Sequence, residues 1–224
     1  MNLNKLEKEI KSCIKCSDIL QKYNIEPKPI FSWESWFDIM LIGQAPWISE
    51  YREWIPFVWD TGKSIKKLFS DCGLEDFNKK VYQTSVVKCF PWRKDWLSTD
   101  RKPSKIEINN CSKFLINQID IIKPKIIVCL WMVSWKAIIE LKEKEEAGFI
   151  LSFFWESLSK LKVKNIVWKS FNYKDSEIIP LIHPSGAANW ARSQNKLEHK
   201  KSIEILKESL QKIFCYTEIM KTKY

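Results

Sequence analysis

Phe37-Asp38-Ile39-Met40-Leu41-Ile42-Gly43-Gln44-Ala45-Pro46 is the stretch on which the fold of this chain turns. A short apolar run that stops at a glycine reads as a buried strand, Phe37 to Ile42, feeding a functional loop. Working outward, a helix is expected after that loop. Ile65, Leu68, Phe69 and Cys72 recur at helical spacing, and Gly73 follows as a C-cap. Val81 to Val87 is rich in β-branched residues and reads as a second strand. Pro103, Ser104 and Glu107 form a capping-box signature for a helix whose buried stripe is Ile108, Cys111, Leu115, Ile119 and Ile122, and Pro124 stops it. Lys125 to Leu130 reads as a third strand, Val133 to Leu141 as a helix, and Ile178 to Ile182 as a fourth strand ending at His183. A last helix is expected from Asn195 to Phe214, burying Ile203, Leu206, Leu210 and Ile213.

Strands alternating with helices predict an α/β fold, a three-layer α/β/α sandwich around a central four-stranded, mainly parallel sheet, because parallel neighbours need crossovers that usually carry helices. One domain spanning 1–224 is expected, with no internal repeat; five glycines and nine prolines leave little room for linkers. Ligands of such sheets bind beyond the carboxyl ends of the strands. The loops at Gly43, after Val87 and at His183 all fall there, so three motifs converge on one edge.

Composition narrows the class of function. With 45% apolar and 29% charged residues the chain reads as soluble and globular. Met1 to Ser12 is charged and lacks the apolar centre of a signal peptide, and no apolar stretch approaches spanning length, so a cytoplasmic protein with no membrane partner is expected. In that compartment seven cysteines read as thiols or ligands, not as a disulfide framework. The surplus of 37 basic over 27 acidic residues gives a net charge of +10, which favours an anionic partner such as nucleic acid.

Cys13 and Cys16 form a Cys-x-x-Cys pair with several readings: zinc, an iron–sulfur cluster, a redox dithiol, or two unrelated buried thiols. Cys89, just after the second strand, and Cys111, in the first turns of a helix, could face the same site. Cys72, Cys129 and Cys215 fall on apolar stripes and read as packing residues.

Taken in order, these motifs resemble the iron–sulfur uracil-DNA glycosylases, family four of the uracil-DNA glycosylase superfamily, over nearly the whole chain. The family's first motif, Gly-Glu-Ala-Pro-Gly followed by an acidic residue and Pro-Phe-Val-Gly, is matched by Gly43-Gln44-Ala45-Pro46-Trp47, Glu50, Pro56-Phe57-Val58-Trp59 and Gly62. Its Thr-Asn-Val-Val-Lys-Cys segment is matched by Thr84-Ser85-Val86-Val87-Lys88-Cys89, and its terminal motif by His183-Pro184-Ser185. Residues 90–110 separate Cys89 from Cys111, a longer stretch than the family shows, and Trp92 to Arg101 reads as an insertion.

The resemblance implies a uracil-DNA glycosylase-like fold, a [4Fe–4S] cluster on Cys13, Cys16, Cys89 and Cys111, and action on single- or double-stranded DNA; nothing in the pattern demands more than a monomer. It implies that His183 donates to the departing base, that Gln44 helps place the attacking water, and that Phe57 stacks on the base. Gly43, Ala45, Pro46, Trp47, Trp59 and Ser85 would complete the substrate site, with Lys63, Lys88, Ser185 and Arg192 gripping DNA. Each role has a plainer rival: His183 as structural, Phe57 as core, His199 as solvated, and Lys196, Lys200, Lys201 and Lys207 as a solvated helix face.

Departures from the family pattern bear on the substrate. Ser85 replaces an asparagine that would read the uracil edge on both donor and acceptor sides, and serine cannot reproduce that contact. Gln44 replaces a glutamate, so an amide that can only orient water stands where a carboxylate could activate it. Trp47, Trp54, Trp59 and Trp131 stand where the pattern has glycine, which implies a remodelled pocket. The expected function is a monofunctional DNA glycosylase that removes uracil or another modified base, in repair or in defence against modified phage DNA. The alternative is a catalytically weak iron–sulfur module that binds DNA or a partner.

Overall fold

A five-stranded sheet forms the centre of the protein, its strands in the order Val81–Ser85 (β2), Ile39–Gly43 (β1), Ile126–Leu130 (β3), Ser176–Leu181 (β5) and Phe171–Tyr173 (β4). The computed structural model describes residues 2–32, 37–93, 100–154, 157–184 and 189–221, with backbone only at Trp59, Leu151 and 215–221. Four strands run parallel: β1 (Ile39–Gly43), β2 (Val81–Ser85), β3 (Ile126–Leu130) and β5 (Ser176–Leu181). Every residue of β1, β2 and β3 is buried, as expected of parallel strands covered on both faces.

Alternation along the strands splits the core in two. Met40, Ile42, Tyr82, Ile127, Cys129 and Ile178 face one layer, where helices Leu3–Lys11, Lys105–Ile122 and Trp131–Glu145 pack. Ile39, Leu41, Val81, Val128, Ile179 and Leu181 face the other, covered by helices Trp59–Asp71 and Lys196–Lys221. The three-layer α/β architecture is therefore the one expected.

The sheet carries one strand more than the four read from the sequence. β4 (Phe171–Tyr173) pairs antiparallel with β5 at the edge, through a turn in which Lys174 takes φ +53°. No glycine or asparagine occupies that turn position, so the usual hairpin signal is missing. The second strand ends at Ser85, two residues early, because the Val86 and Val87 N–H groups turn to the carbonyls of Gly43 and Gln44. That pair of bonds joins the loop after β2 to the loop after β1.

Helix limits follow their caps. Ser104 and Glu107 close the expected capping box, with the Ser104 N–H donating to Glu107 Oε2 at 2.7 Å. Lys123 ends that helix in the left-handed region ahead of Pro124. The helix expected over Val133–Leu141 begins two residues earlier, at Trp131, directly off β3. The final helix begins at Lys196 behind a separate short helix, Asn189–Gln194. Lys196, Lys200, Lys201 and Lys207 form its exposed face, whereas His199 is half-buried with its Nδ1 enclosed, contrary to its reading as solvated. Cys72 and Cys129 are core thiols, and the Cys215 side chain lies outside the described residues.

Candidate active site at the carboxyl ends of the strands

The ends of β1 and β2 and the segments that follow β3 and β5 enclose a cavity of about 210 Å³. Its lining includes Gly43, Gln44, Ala45, Trp47, Phe57 and Ser85. His183 and Trp131 also line it. Register explains the convergence, since Gly43 pairs with Ser85 and Leu130 with Leu181, so the residues beyond each pair emerge side by side.

Close packing sets the floor. A Cβ on Gly43 would stand 3.1 Å from both the Phe57 ring and Ser85 Oγ, so the bare glycine leaves room for ring and hydroxyl at the end of β1. Phe57 itself sits at φ +49°, a conformation bulky residues rarely adopt. Glu50 holds it there. Its Oε1 accepts from the Phe57 N–H at 2.5 Å and its Oε2 from the Trp47 N–H at 2.8 Å, so one buried carboxylate ties both lips of the loop. Burial pushes the Glu50 carboxyl up to about 7, against the pull of those two backbone donors.

His183 is buried, two residues beyond β5. Its imidazole stacks with the Trp131 indole, ring centroids 5.9 Å apart and planes 16° from parallel, while Trp47 approaches at 6.5 Å, tilted by 42°. Arg192 Nη1 donates to the His183 carbonyl at 2.5 Å. Burial first, and the Arg192 charge second, push the imidazole down to about 4, so near neutrality it is uncharged and carries one N–H donor.

Several expected site residues lie elsewhere. Pro46 is buried but is not part of the cavity wall. Lys63 is exposed, 3.8 Å from Asp60. Trp59 begins a helix and its side chain lies outside the described residues, as does Ser185. Lys88 corrects the expectation of a DNA contact: it is 1% exposed, and its Nζ donates inward to the Ser85 carbonyl at 2.5 Å. The side chain follows Val87 into the interior, where no phosphate reaches it.

Glu50 and Asp100 are lining residues to which the sequence reading assigned no role. Glu50 was visible as the motif's acidic position, but only its two backbone partners reveal what it does. Asp100 lies in the stretch Trp92 to Arg101 that reads as an insertion, where a family pattern carries no information. Its Oδ2 accepts from the Ile48 N–H at 3.2 Å, which brings the end of the insertion onto the active-site loop. Residues 94–99 of that insertion lie outside the described residues.

A second cavity lies behind the first, lined by Cys13, Cys16, Cys89 and Cys111 together with Lys88, Asn110 and others. Ala45, from the first cavity, packs in one cluster with Val87 and Cys111. The segment after the Cys-x-x-Cys pair reaches the site by bridging Pro29 to Cys89, with the Ile30 N–H on the Lys88 carbonyl. Asn110 Nδ2 lies 3.5 Å from Cys16 Sγ. Burial raises the Cys16, Cys89 and Cys111 thiols, and the negative charge of neighbouring thiols adds to each. Among the described residues no group of His, Cys, Asp and Glu closes tightly enough to hold a single metal ion. Four cysteine thiols lining one cavity are the donor set that iron–sulfur clusters use.

Comparison with known proteins gives this site its context. The uracil DNA glycosylase superfamily matches residues 37–207. A Type-4 uracil-DNA glycosylase of Sulfurisphaera tokodaii is 36% identical over 83% of this chain and 76% of its own length. One of Archaeoglobus fulgidus is 29% identical over 92% of both chains, and a Type-5 uracil-DNA glycosylase of Pyrobaculum aerophilum is 25% identical over 62% of this chain and 70% of its own. With the motifs, the parallel sheet and the cavity at its strand ends in agreement, the chain belongs to the uracil-DNA glycosylase superfamily.

Proposed function

We propose that this DNA glycosylase hydrolyses the N-glycosidic bond of uracil, or of another modified base, flipped out of DNA into the cavity at the strand ends. The observation that carries this reading is the meeting of His183, Phe57 and Gln44 around one cavity. In the reaction the bond between base and sugar breaks with its electron pair leaving on the base, water adds to the cationic sugar carbon, and the proton that water loses neutralises the departed base anion. The neutral His183 N–H stabilises the negative charge that grows on a base oxygen. Phe57 stacks on the base, and Gln44 orients the water through its amide. Ser85 offers a short hydroxyl to the base edge, which leaves room for substrates other than plain uracil. Lys63, Ser185 and Arg192 serve as phosphate partners, and the protein works as a cytoplasmic monomer.

Cys13, Cys16, Cys89 and Cys111 would hold a [4Fe–4S] cluster. When bound, it supplies iron–thiolate bonds that tie the N-terminal segment to the exit of β2 and to the Lys105–Ile122 helix. Lys88 lines the same cavity, its amine pulled down to about 7 by burial against the smaller opposing pull of Cys111 and Cys89.

The test is release of free bases from DNAs containing uracil, hypoxanthine, xanthine or hypermodified cytosines, read by mass spectrometry with His183→Ala as control. A base released by the wild type and withheld by the variant supports the proposal and names the substrate. No release from any DNA favours a binding module instead.

A further inference from the structure

The stacking of Trp131 on His183 joins two strand ends that register brings together. β3 and β5 are parallel neighbours with Leu130 opposite Leu181, so Trp131, next after β3, rises beside His183. Trp131 holds this place at φ +74°, a left-handed backbone that glycine takes freely and a bulky aromatic residue takes only under strain. The turn is closed beneath it: Ser134 Oγ donates to the Trp131 carbonyl at 2.8 Å and also engages the Leu130 carbonyl. One turn on, Trp135 Nε1 donates to the Cys129 carbonyl at 2.5 Å. A large ring is thus held in a strained position, on the wall of the cavity and against the one buried histidine there.

We propose that Trp131 is a positioning residue, its indole stacked nearly parallel to His183 and fixing the plane of the imidazole so that the N–H edge stays aimed into the cavity. The inference rests on the glycosylase reading of that cavity. A histidine ring turns easily about its outer torsion, which has broad minima. A hydrogen bond from the ring lies in its plane, so rotation withdraws the donor from the base. An indole held nearly parallel and offset beside it opposes that rotation, because a turning ring gives up the stacked contact.

The experiment compares Trp131→Gly, which removes the ring and relieves the backbone, with Trp131→Phe, which keeps a flat ring. In base-release assays we expect Trp131→Gly to lower kcat on the order of tenfold to a hundredfold with KM near the wild-type value, the scale of a misplaced catalytic group. Trp131→Phe is expected to restore most of the loss. His183 ring-proton resonances, assigned against His183→Ala in a chain with two histidines, are expected at high field in the wild type and should move downfield in Trp131→Gly. The melting temperature of Trp131→Gly should not fall, which separates lost positioning from lost folding. Wild-type kcat in Trp131→Gly, a change in KM alone, or unmoved His183 resonances would each overturn the positioning role. Absence of release by the wild-type chain would overturn the role together with the glycosylase reading, and the resonances would still report whether the stack exists.

Discussion

The carbonyl of Phe57 occupies the place where a side chain on residue 62 would begin: an ideal Cβ on Gly62 would lie 1.6 Å from that oxygen. Glycine at 62 is therefore what lets the Trp59–Asp71 helix pass directly under the loop that presents the Phe57 ring to the cavity. Gly62→Ala must displace backbone, not a flexible side-chain tip. The expected result is destabilisation of about 3 kcal/mol in urea unfolding, with loss of base release. Wild-type activity in this variant would mean that the loop can shift without consequence.

Glu50 is the second hinge of the same loop. Replacing it with alanine strips acceptors from the N–H groups of Trp47 and Phe57, for about 1–3 kcal/mol each where they stay buried. Glu50→Gln keeps one acceptor oxygen and should lose less. Thermal melts of both variants, alongside base release, would rank them; equal melting temperatures for Glu50→Ala and wild type would exclude the carboxylate as a brace.

Glu50 and His183 also oppose one another in the pH dependence of stability. The Glu50 carboxyl is raised from 4.5 to about 7, so its contribution is full below pH 4.5 and is lost as the pH rises through 7. The His183 imidazole is lowered from 6.5 to about 4, so its contribution is full above pH 6.5 and is lost as the pH falls through 4. Each is worth about 3 kcal/mol, and between roughly pH 4.5 and 6.5 they offset. Urea unfolding across that window should show a shallow slope for the wild type. Stability should rise with pH in Glu50→Gln and fall with pH in His183→Ala; parallel curves for all three proteins would contradict both shifts.

Neutral His183 also sets the acid limb of the reaction. Single-turnover base release should persist well below pH 6.5, because the imidazole stays uncharged to about pH 4. His183→Ala should slow release by about 100- to 1,000-fold, the loss typical of one donor to a developing anion. A wild-type midpoint near pH 6.5 would show that the imidazole is open to solvent.

The thiol-lined cavity predicts colour and stability together. Protein prepared without oxygen should be brown with four irons per chain, a cubane's complement. Cys89→Ser or Cys111→Ser should bleach the brown colour and lower the melting temperature, since both residues line one cavity with Cys13 and Cys16 of the N-terminal segment. A colourless protein with stoichiometric zinc would exclude the cluster.

Much of this architecture was legible before any coordinates. Apolar runs ending at Gly43, Val87, Leu130 and His183 marked the four parallel strands, and the Ser104–Glu107 pair marked a helix start, because each signal is local. The antiparallel β4 was not legible, since a three-residue edge strand with Lys174 at its turn carries neither length nor turn chemistry. Asp100 was hidden because an insertion has no pattern to match.

What the sequence alone determined is the order of elements and the set of motifs at the strand ends, because periodicity, caps and turn residues act over a few positions and survive without knowledge of neighbours. What tertiary structure alone decided is the direction and surroundings of each side chain. Lys88, one residue before a thiol of the second cavity, points inward and not toward DNA. Glu50 reaches two backbone donors seven residues apart in the chain, at Phe57, and three apart, at Trp47. Trp131, a bulky residue at a glycine-like backbone angle, becomes intelligible only when β5 brings His183 beneath its ring. Register between distant strands, not local propensity, makes those contacts.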